Sequence, residues 1–405
     1  MTEFADLRRR VQRAFGSAVD CNGPLAGSGA GIRVNGVDLG SQLNPDQVSV
    51  LLDALSLYRI VTIPGQDLAT FTLADFERFA NHWGAPVPHP SNFTRGGKPA
   101  QSDGPSDGSI AMVPPAKRAA AAVNGAFPGR LQCLAHDSPA VLVVANFRAG
   151  QGEPRVGGGG SWHTDIEYEP LPIYVSMFLV HAVPTRRNAP GRTWVTGNGK
   201  HPYFDGADPK LMRRRLRLPR NGETAYADTA AAFAALPAAE QDRLRRVRVR
   251  RRLNAGDPGW LAPLVRTNPR SGIESLHSPV WASRPRVRPP ITVDGLSEAD
   301  SRRFLDALEA HVLDARFRYD HVHEPGDVTI WDNTMTLHNS PPMKVNVNDV
   351  EDARLLYRLS CKGEPALTLP RTDPAEWLAA HVPGSYRTPA PIIRGSPPAL
   401  DAPRR

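Results

Sequence analysis

The sequence predicts a β-rich α+β protein, a strand-built sandwich or barrel with helices packed on its outside. Three observations carry this. Proline makes up 40 of 405 residues, roughly double the usual share of about 5%, which favours strands and long loops over a helical bundle. Short apolar or alternating runs recur along the chain between Gly, Pro, Asn and Ser clusters. Helix signatures are few, and three of them carry a recognisable start.

Taken in order, residues 1–30 read as a helical start followed by a Gly/Ala/Ser-rich arm. Residues 31–39 alternate with period two and read as a strand. Asn44 as N-cap, Pro45 at the first helical position and Gln47 completing a capping box start a helix with Val48, Leu51, Leu52 and Leu55 on its apolar face. Residues 58–63 form a short buried strand stopped by Pro64-Gly65. Thr72 with Asp75 caps a second helix that carries Phe76, Phe79 and Ala80, and Gly84 ends it.

Residues 85–135 are interrupted by Gly and Pro throughout, and segments of this kind are usually lids or disordered. Residues 141–146 and 173–182 are apolar enough to be buried strands. Between 184 and 221 lies a second long insertion, basic and Pro-rich. Residues 229–244 are helical and divided at Pro237. Val247, Val249, Arg251 and Leu253 then alternate along a strand, with the arginines between them pointing outward. Short strands follow at 264–267, 273–276 and 280–281. Ser297 with Asp300 caps a helix whose inward side is Phe304, Leu305, Leu308 and Val312. Segments 317–323 and 328–331 flank a Pro325-Gly326 turn, and 354–360 is a further strand. Beyond 365 the chain is Pro-rich to its end. The division expected is an N-terminal arm (1–30), one domain (31–365) with insertions at 94–135 and 184–221, and a C-terminal tail (366–405).

Composition excludes several functions. Cys21, Cys133 and Cys361 are widely spaced, which argues against a disulfide framework and against a Cys-based zinc site. The N-terminus lacks the basic-then-apolar order of a signal peptide, and no apolar run approaches membrane-span length. A cytoplasmic protein is the reading. The net charge is +8, much of it in 213–220 and 243–252. These stretches lack interleaved aromatics and match no nucleic-acid module, so they read as solvated faces and nucleic acid is disfavoured as a partner. A small molecule is the expected partner, and a homo-oligomer stays open.

The chemistry-bearing stretch is Trp162-His163-Thr164-Asp165, after the glycine run 157–160. In extended backbone, positions i and i+2 project to one side, so His163 and Asp165 can grip one divalent metal. A second histidine from elsewhere would complete a two-His, one-carboxylate facial set with three open positions. His338, beyond Trp331-Asp332-Asn333, is placed to do so. Spacing alone does not select it, because His82, His89, His136, His181, His201, His277, His311, His321, His323 and His381 compete.

Trp162-His163-Thr164-Asp165, then Trp331-Asp332-Asn333 with His338, then Arg354 and Arg358, together resemble the TauD/TfdA (taurine dioxygenase-like) family of Fe(II)/2-oxoglutarate-dependent dioxygenases. The resemblance runs from about residue 31 to 364. It implies a double-stranded β-helix (jelly-roll, cupin-like) core with flanking helices and the two insertions. It implies that His163, Asp165 and His338 ligate Fe(II), with 2-oxoglutarate and O2 at the open positions. Arg354 then clamps the far carboxylate of 2-oxoglutarate through its planar fork. Thr224 assists, with Thr193 as the competing position. His89, Asn92 and Arg358 fall at substrate positions. Asn92 and Gly159 depart from the residues of taurine dioxygenase itself, which puts taurine in doubt. Asp332 reads as a turn residue orienting its neighbours, and Trp162 and Trp331 as packing.

The function implied is oxidation of an unactivated C–H of a small polar or anionic molecule, by hydroxylation, desaturation or cyclisation, in specialised-metabolite biosynthesis. 2-Oxoglutarate becomes succinate and CO2. The alternatives are a catabolic dioxygenase for sulfonates or alkyl ethers, a zinc hydrolase using the same ligands, and a non-enzymatic nucleic-acid-associated protein on the same scaffold.

Overall fold

The computed structural model describes residues 3–84, 86–87, 93–95, 98–99, 110–112, 123–136, 138, 140–147, 155–157, 162–168, 172–185, 206–219, 223–252, 259–283 and 289–362. Its largest sheet has seven strands, in the spatial order Asp20–Asn22, Ile32–Asn35, Ile60–Ile63, Val328–Asp332, Val175–Ala182, Leu355–Cys361 and Leu142–Ala145. Only the pairing of Ile32–Asn35 with Ile60–Ile63 is parallel; the others are antiparallel. A three-stranded antiparallel sheet, Arg318–His321, Thr224–Asp228 and Thr336–Asn339, faces it.

Strand alternation sorts the side chains into layers. Val61, Met177, Leu179, Val328, Ile330, Leu355, Tyr357 and Leu359 leave one face of the large sheet and meet the helices Glu3–Phe15, Pro45–Tyr58 and Leu73–Ala80. Ile60, Phe178, Val180, Trp331 and Leu356 leave the other face and meet Tyr226 of the small sheet. Ala225, Ala227 and Leu337 point away from that interior, into a third core shared with the helices Thr229–Ala234 and Glu298–Val312. The period of two turns each strand into a divider between layers. The functional side chains occupy the layer between the two sheets.

The capped helices form as their sequences require. Asn44 and Gln47 complete a reciprocal capping box, as do Thr72 and Asp75. The Ser297 side chain accepts from the Asp300 N–H. Pro237 separates the helices Thr229–Ala234 and Ala238–Arg245. No helix of the described residues is long and apolar enough to cross a membrane.

Three expectations need correction. The N-terminal segment is no loose arm. Leu7 and Val11 are fully buried in the main core, Phe4 meets Tyr58 edge-on at 5.7 Å, and Asp20–Asn22 adds a strand to the large sheet. The spacing of Phe4, Leu7 and Val11 along one helix face is the reason. The insertions are also more than loop. Val123, Phe127 and Leu131 are core residues, and the Leu134 N–H donates to the Tyr357 hydroxyl at 2.7 Å. Pro209–Leu216 is a helix capped by Asp208. Finally, the basic stretches are not wholly solvated. The Arg215 side chain is fully buried and forms hydrogen-bonded ion pairs with Glu309 (2.6 Å) and Asp306 (2.9 Å), and Arg251 is buried too. The tail from 363 onward and most of both insertions lie outside the described residues.

The Pro325-Gly326 turn ties the strands together, and it permits glycine only. Gly326 has φ +83°, and a Cβ there would lie 2.6 Å from the Gln66 carbonyl oxygen. Its own N–H donates to Val180 and its carbonyl accepts from Gln66, both at 2.9 Å. Gly326→Ala is expected to cost about 1–3 kcal/mol, read as a lowered urea midpoint at unchanged slope.

Candidate metal centre

The site is assembled from a backbone pairing. His163 and His338 face each other as an isolated antiparallel bridge and exchange both hydrogen bonds, His163 N–H to His338 O at 3.1 Å and the reverse at 2.9 Å. Opposed residues of such a pair project to one side, and the two imidazole centroids stand 4.3 Å apart. Asp165, two residues on, projects to the same side. Thr164 between them turns away, its hydroxyl donating to the Thr336 carbonyl at 3.2 Å. One ligand atom from each of His163, Asp165 and His338 falls within 4.8 Å of the others. The Nε2 of His163 is 3.8 Å from Asp165 Oδ1, and that of His338 is 3.6 Å from Oδ2.

Around these three, a polar network holds the carboxylate. Ser176 Oγ donates to Asp165 Oδ2 at 2.8 Å, and Asn333 Nδ2 donates to Ser176 at 3.0 Å. Asn333 Oδ1 accepts from the Trp331 indole at 3.2 Å. Arg358 forms a close ion pair with Asp165 Oδ2. Burial works to raise the Asp165 pKa, but the charges of Arg358, His338 and His163 outweigh it and hold the carboxyl well below the usual range. It is therefore ionised at neutral pH, as a metal ligand must be. The sequence places Asn333 in the Trp331-Asp332-Asn333 stretch without giving it a role, and Ser176, a lone Ser in a strand, carries no signal of one.

Asp332 behaves as a turn residue. Its Oδ1 accepts from the Thr334 N–H and hydroxyl, both at 2.6 Å, and from the Met335 N–H at 3.2 Å, while Oδ2 accepts from Asn268 at 3.0 Å. Burial pushes its pKa up to about 6, with these hydrogen bonds pulling the other way. The turn it builds returns the chain into the strand that presents His338. Trp162 and Trp331 are fully buried, as packing residues are.

Arg354 and Arg358 both serve the interior layer, and buried Tyr226 is close enough to feel both charges. A register shift between Leu355 and Leu356 accompanies this placement. Arg354 is 4% exposed and its N–H donates to Asn146 at 2.7 Å. Its side-chain Nε, like the Tyr226 hydroxyl, is buried with no hydrogen-bond partner among the described residues. Burial pushes the Arg354 pKa down to about 10. Such donors await an anionic acceptor, so the residues present fit the far carboxylate of 2-oxoglutarate as they fit a divalent metal.

Thr224 lies in the same layer, 3% exposed, with Oγ1 2.8 Å from His323 Nε2. His323 was only one of many competing histidines in the sequence. His89, Asn92 and the competing Thr193 lie outside the described residues.

His321, beside His323, yields a pH prediction. It is 1% exposed and hydrogen-bonded to the Tyr319 hydroxyl at 2.9 Å and to Thr329 Oγ1 at 3.2 Å. Burial, with Arg33 nearby, lowers its pKa from 6.5 to about 3. The unfolded chain takes up this proton below about pH 6.5, whereas the native protein resists it down to about pH 3. Stability is therefore full above that window and falls as pH drops through it, by up to about 1.4 kcal/mol per unit for this group. His321→Gln is expected to flatten that slope in urea titrations at pH 7, 6 and 5.

A family model described as taurine catabolism dioxygenase TauD, TfdA family matches residues 22–359. The chain belongs to that family. Members of the TauD/TfdA family are alpha-ketoglutarate-dependent dioxygenases that use Fe(II), 2-oxoglutarate and O2. The chain is 26% identical to pentalenolactone F synthase of Streptomyces arenae over 49% of this chain and 62% of that protein. It is 32% identical to an alpha-ketoglutarate-dependent 2,4-dichlorophenoxyacetate dioxygenase of Cupriavidus pinatubonensis over 30% of this chain and 45% of that one. These matches span less than two-thirds of either relative's length. Among solved structures, one described as an alpha-ketoglutarate-dependent taurine dioxygenase of Burkholderia xenovorans superposes with a TM-score of 0.52 at 20% identity, covering 85% of this chain and 90% of that one. At that identity the likeness speaks for the fold alone. It agrees with the β-rich mixed architecture predicted from sequence.

Proposed function

We propose that this TauD/TfdA-family chain is an Fe(II)/2-oxoglutarate-dependent dioxygenase that oxidises an unactivated C–H of a small polar or anionic molecule. The observation that carries the reading is the meeting of His163, Asp165 and His338 in the same layer as a buried Arg354 whose Nε lacks a partner. Its core is proposed to be a double-stranded β-helix, supported by the two facing sheets with the site between them.

His163, Asp165 and His338 would hold a ferrous ion, which when bound would supply the redox chemistry for coupling 2-oxoglutarate decarboxylation and O2 to C–H oxidation. The protein's own groups do the rest. Arg354 holds the far carboxylate of 2-oxoglutarate, and Thr224 assists with its hydroxyl fixed by His323. Ser176 and Asn333 set the direction of the Asp165 carboxylate. Arg358 balances Asp165 and stands ready for an anionic group of the substrate, while His89 and Asn92 take the remaining substrate positions. Phe178, Trp331 and Leu356 keep the layer dry, which strengthens each of these ionic contacts.

The match to pentalenolactone F synthase supports a role in specialised-metabolite biosynthesis. The match to a 2,4-dichlorophenoxyacetate dioxygenase supports a second reading, catabolism of a small anionic compound. The test is an anaerobic titration of the Fe(II)-loaded protein with 2-oxoglutarate. A weak visible charge-transfer band is expected, shifting when the true substrate is added from a panel. Fe(II) binding without any band, and no succinate formed under air, would reject the proposal.

A further inference from the structure

A second cluster of cations is made of residues outside the metal set and plays no part in the reaction above. In the strand Arg248–Arg251 the inward positions are Val249 and Arg251. Arg251 is 1% exposed; one of its terminal nitrogens donates to the carbonyls of His277 (2.8 Å) and Ser278 (3.4 Å). Its Nε and Nη1 are buried with no partner among the described residues. The same holds for Nε and Nη2 of Arg266, for both ring nitrogens of fully buried His277, and for the hydroxyl of Ser278.

These groups stand close together: Arg266 faces Ser275, two residues before His277, in the antiparallel pairing of Val265–Thr267 with Glu274–Leu276, the His277 N–H donates to the Leu264 carbonyl at 2.8 Å, and Arg251 reaches the His277 carbonyl. Burial first, and then the charge of Arg251, pushes the Arg266 pKa down to about 9. Burial and both guanidiniums hold His277 well below its usual value. Glu167, two residues beyond the ligand Asp165, is near enough to favour the Arg251 charge, but its carboxylate receives the Ser283 hydroxyl in a close hydrogen bond. Among the described residues no carboxylate pairs with either guanidinium.

Burying one unpaired guanidinium is costly, and placing a second beside it adds repulsion. The unpaired groups of the cluster are nearly all N–H and O–H donors, among them two planar guanidinium forks. What completes such a set is an acceptor bearing negative charge. We propose that Arg251, Arg266 and His277 form a binding site for one oxyanion group, a carboxylate, sulfate or phosphate of a small molecule. The site uses none of the residues assigned to the metal or to 2-oxoglutarate, being built on Arg248–Arg251, Val265–Thr267 and the residues just after Glu274–Leu276.

The test is thermal unfolding of the full-length, EDTA-treated protein in inorganic phosphate against chloride at matched ionic strength. A saturable rise in Tm of about 3 °C is expected, above the gradual rise that phosphate and sulfate give any protein. Arg266→Met should remove the saturable part and keep the gradual part. Arg251→Met should do the same while raising Tm in chloride, since it removes a buried unpaired charge. Sulfate and succinate arms, run in an Arg354→Met background, distinguish a tetrahedral oxyanion from a carboxylate; saturable binding of either supports the site. A wild-type response that never saturates, or a saturable response that survives intact in Arg266→Met or His277→Phe, overturns it. Calorimetric titration of the wild type with phosphate decides the matter if a variant does not fold.

Discussion

His338→Ala is expected to abolish Fe(II)-dependent turnover of 2-oxoglutarate to succinate and to weaken metal binding by at least about a hundredfold. That figure is a floor, because losing even a group that merely orients a metal ligand costs about 10–100-fold. His338 is the cleanest of the three ligands to remove. Its part in the sheet is made by backbone, through the paired hydrogen bonds with His163, and alanine keeps both. Removing Asp165 instead would strand Arg358 in a largely buried place, confounding loss of metal with loss of fold. Circular dichroism and Tm should therefore stay close to the parent protein while Co(II) or Fe(II) binding, followed by equilibrium dialysis, collapses. Retained succinate production at the parental rate would remove His338 from the metal site.

Arg354→Met is expected to raise the KM for 2-oxoglutarate by at least about thirtyfold. Truncating one partner of a buried charge pair typically costs about 2–5 kcal/mol of binding, and thirtyfold is the lower end of that range. The companion expectation has the opposite sign. In the absence of 2-oxoglutarate, methionine relieves a guanidinium that is 4% exposed and whose Nε has no partner, so the Tm of the ligand-free protein should hold or rise. The two readouts together separate a co-substrate anchor from a structural arginine, whose loss would lower Tm and leave KM alone. An unchanged KM would move the carboxylate elsewhere.

Much of the local structure was legible in the residues. The capping boxes at Asn44 and Thr72, the Pro237 break and the Pro325-Gly326 turn rest on contacts a few residues apart, and they formed as read. His163 and Asp165 shared a side because extended backbone repeats every two residues. Other features escaped. The helix Glu3–Phe15 looked like an arm because the layer that receives Leu7 and Val11 is built from distant strands. Arg215 and Arg251 looked solvated because charge in a sequence carries no record of what surrounds it; Glu309 lies 94 residues from Arg215.

By itself, the order of amino acids determined the capped helices, the strand-rich character and two of the three metal ligands, because those depend on short-range geometry that any copy of the segment repeats. The tertiary structure decided that, among the described histidines, His338 completes that set, that Arg358 meets Asp165, and that His323 meets Thr224. Each of these contacts joins segments separated by roughly 100 residues or more. Only the register of paired strands and the packing of one sheet against the other bring such positions within reach, and neither is written in any single stretch of the chain.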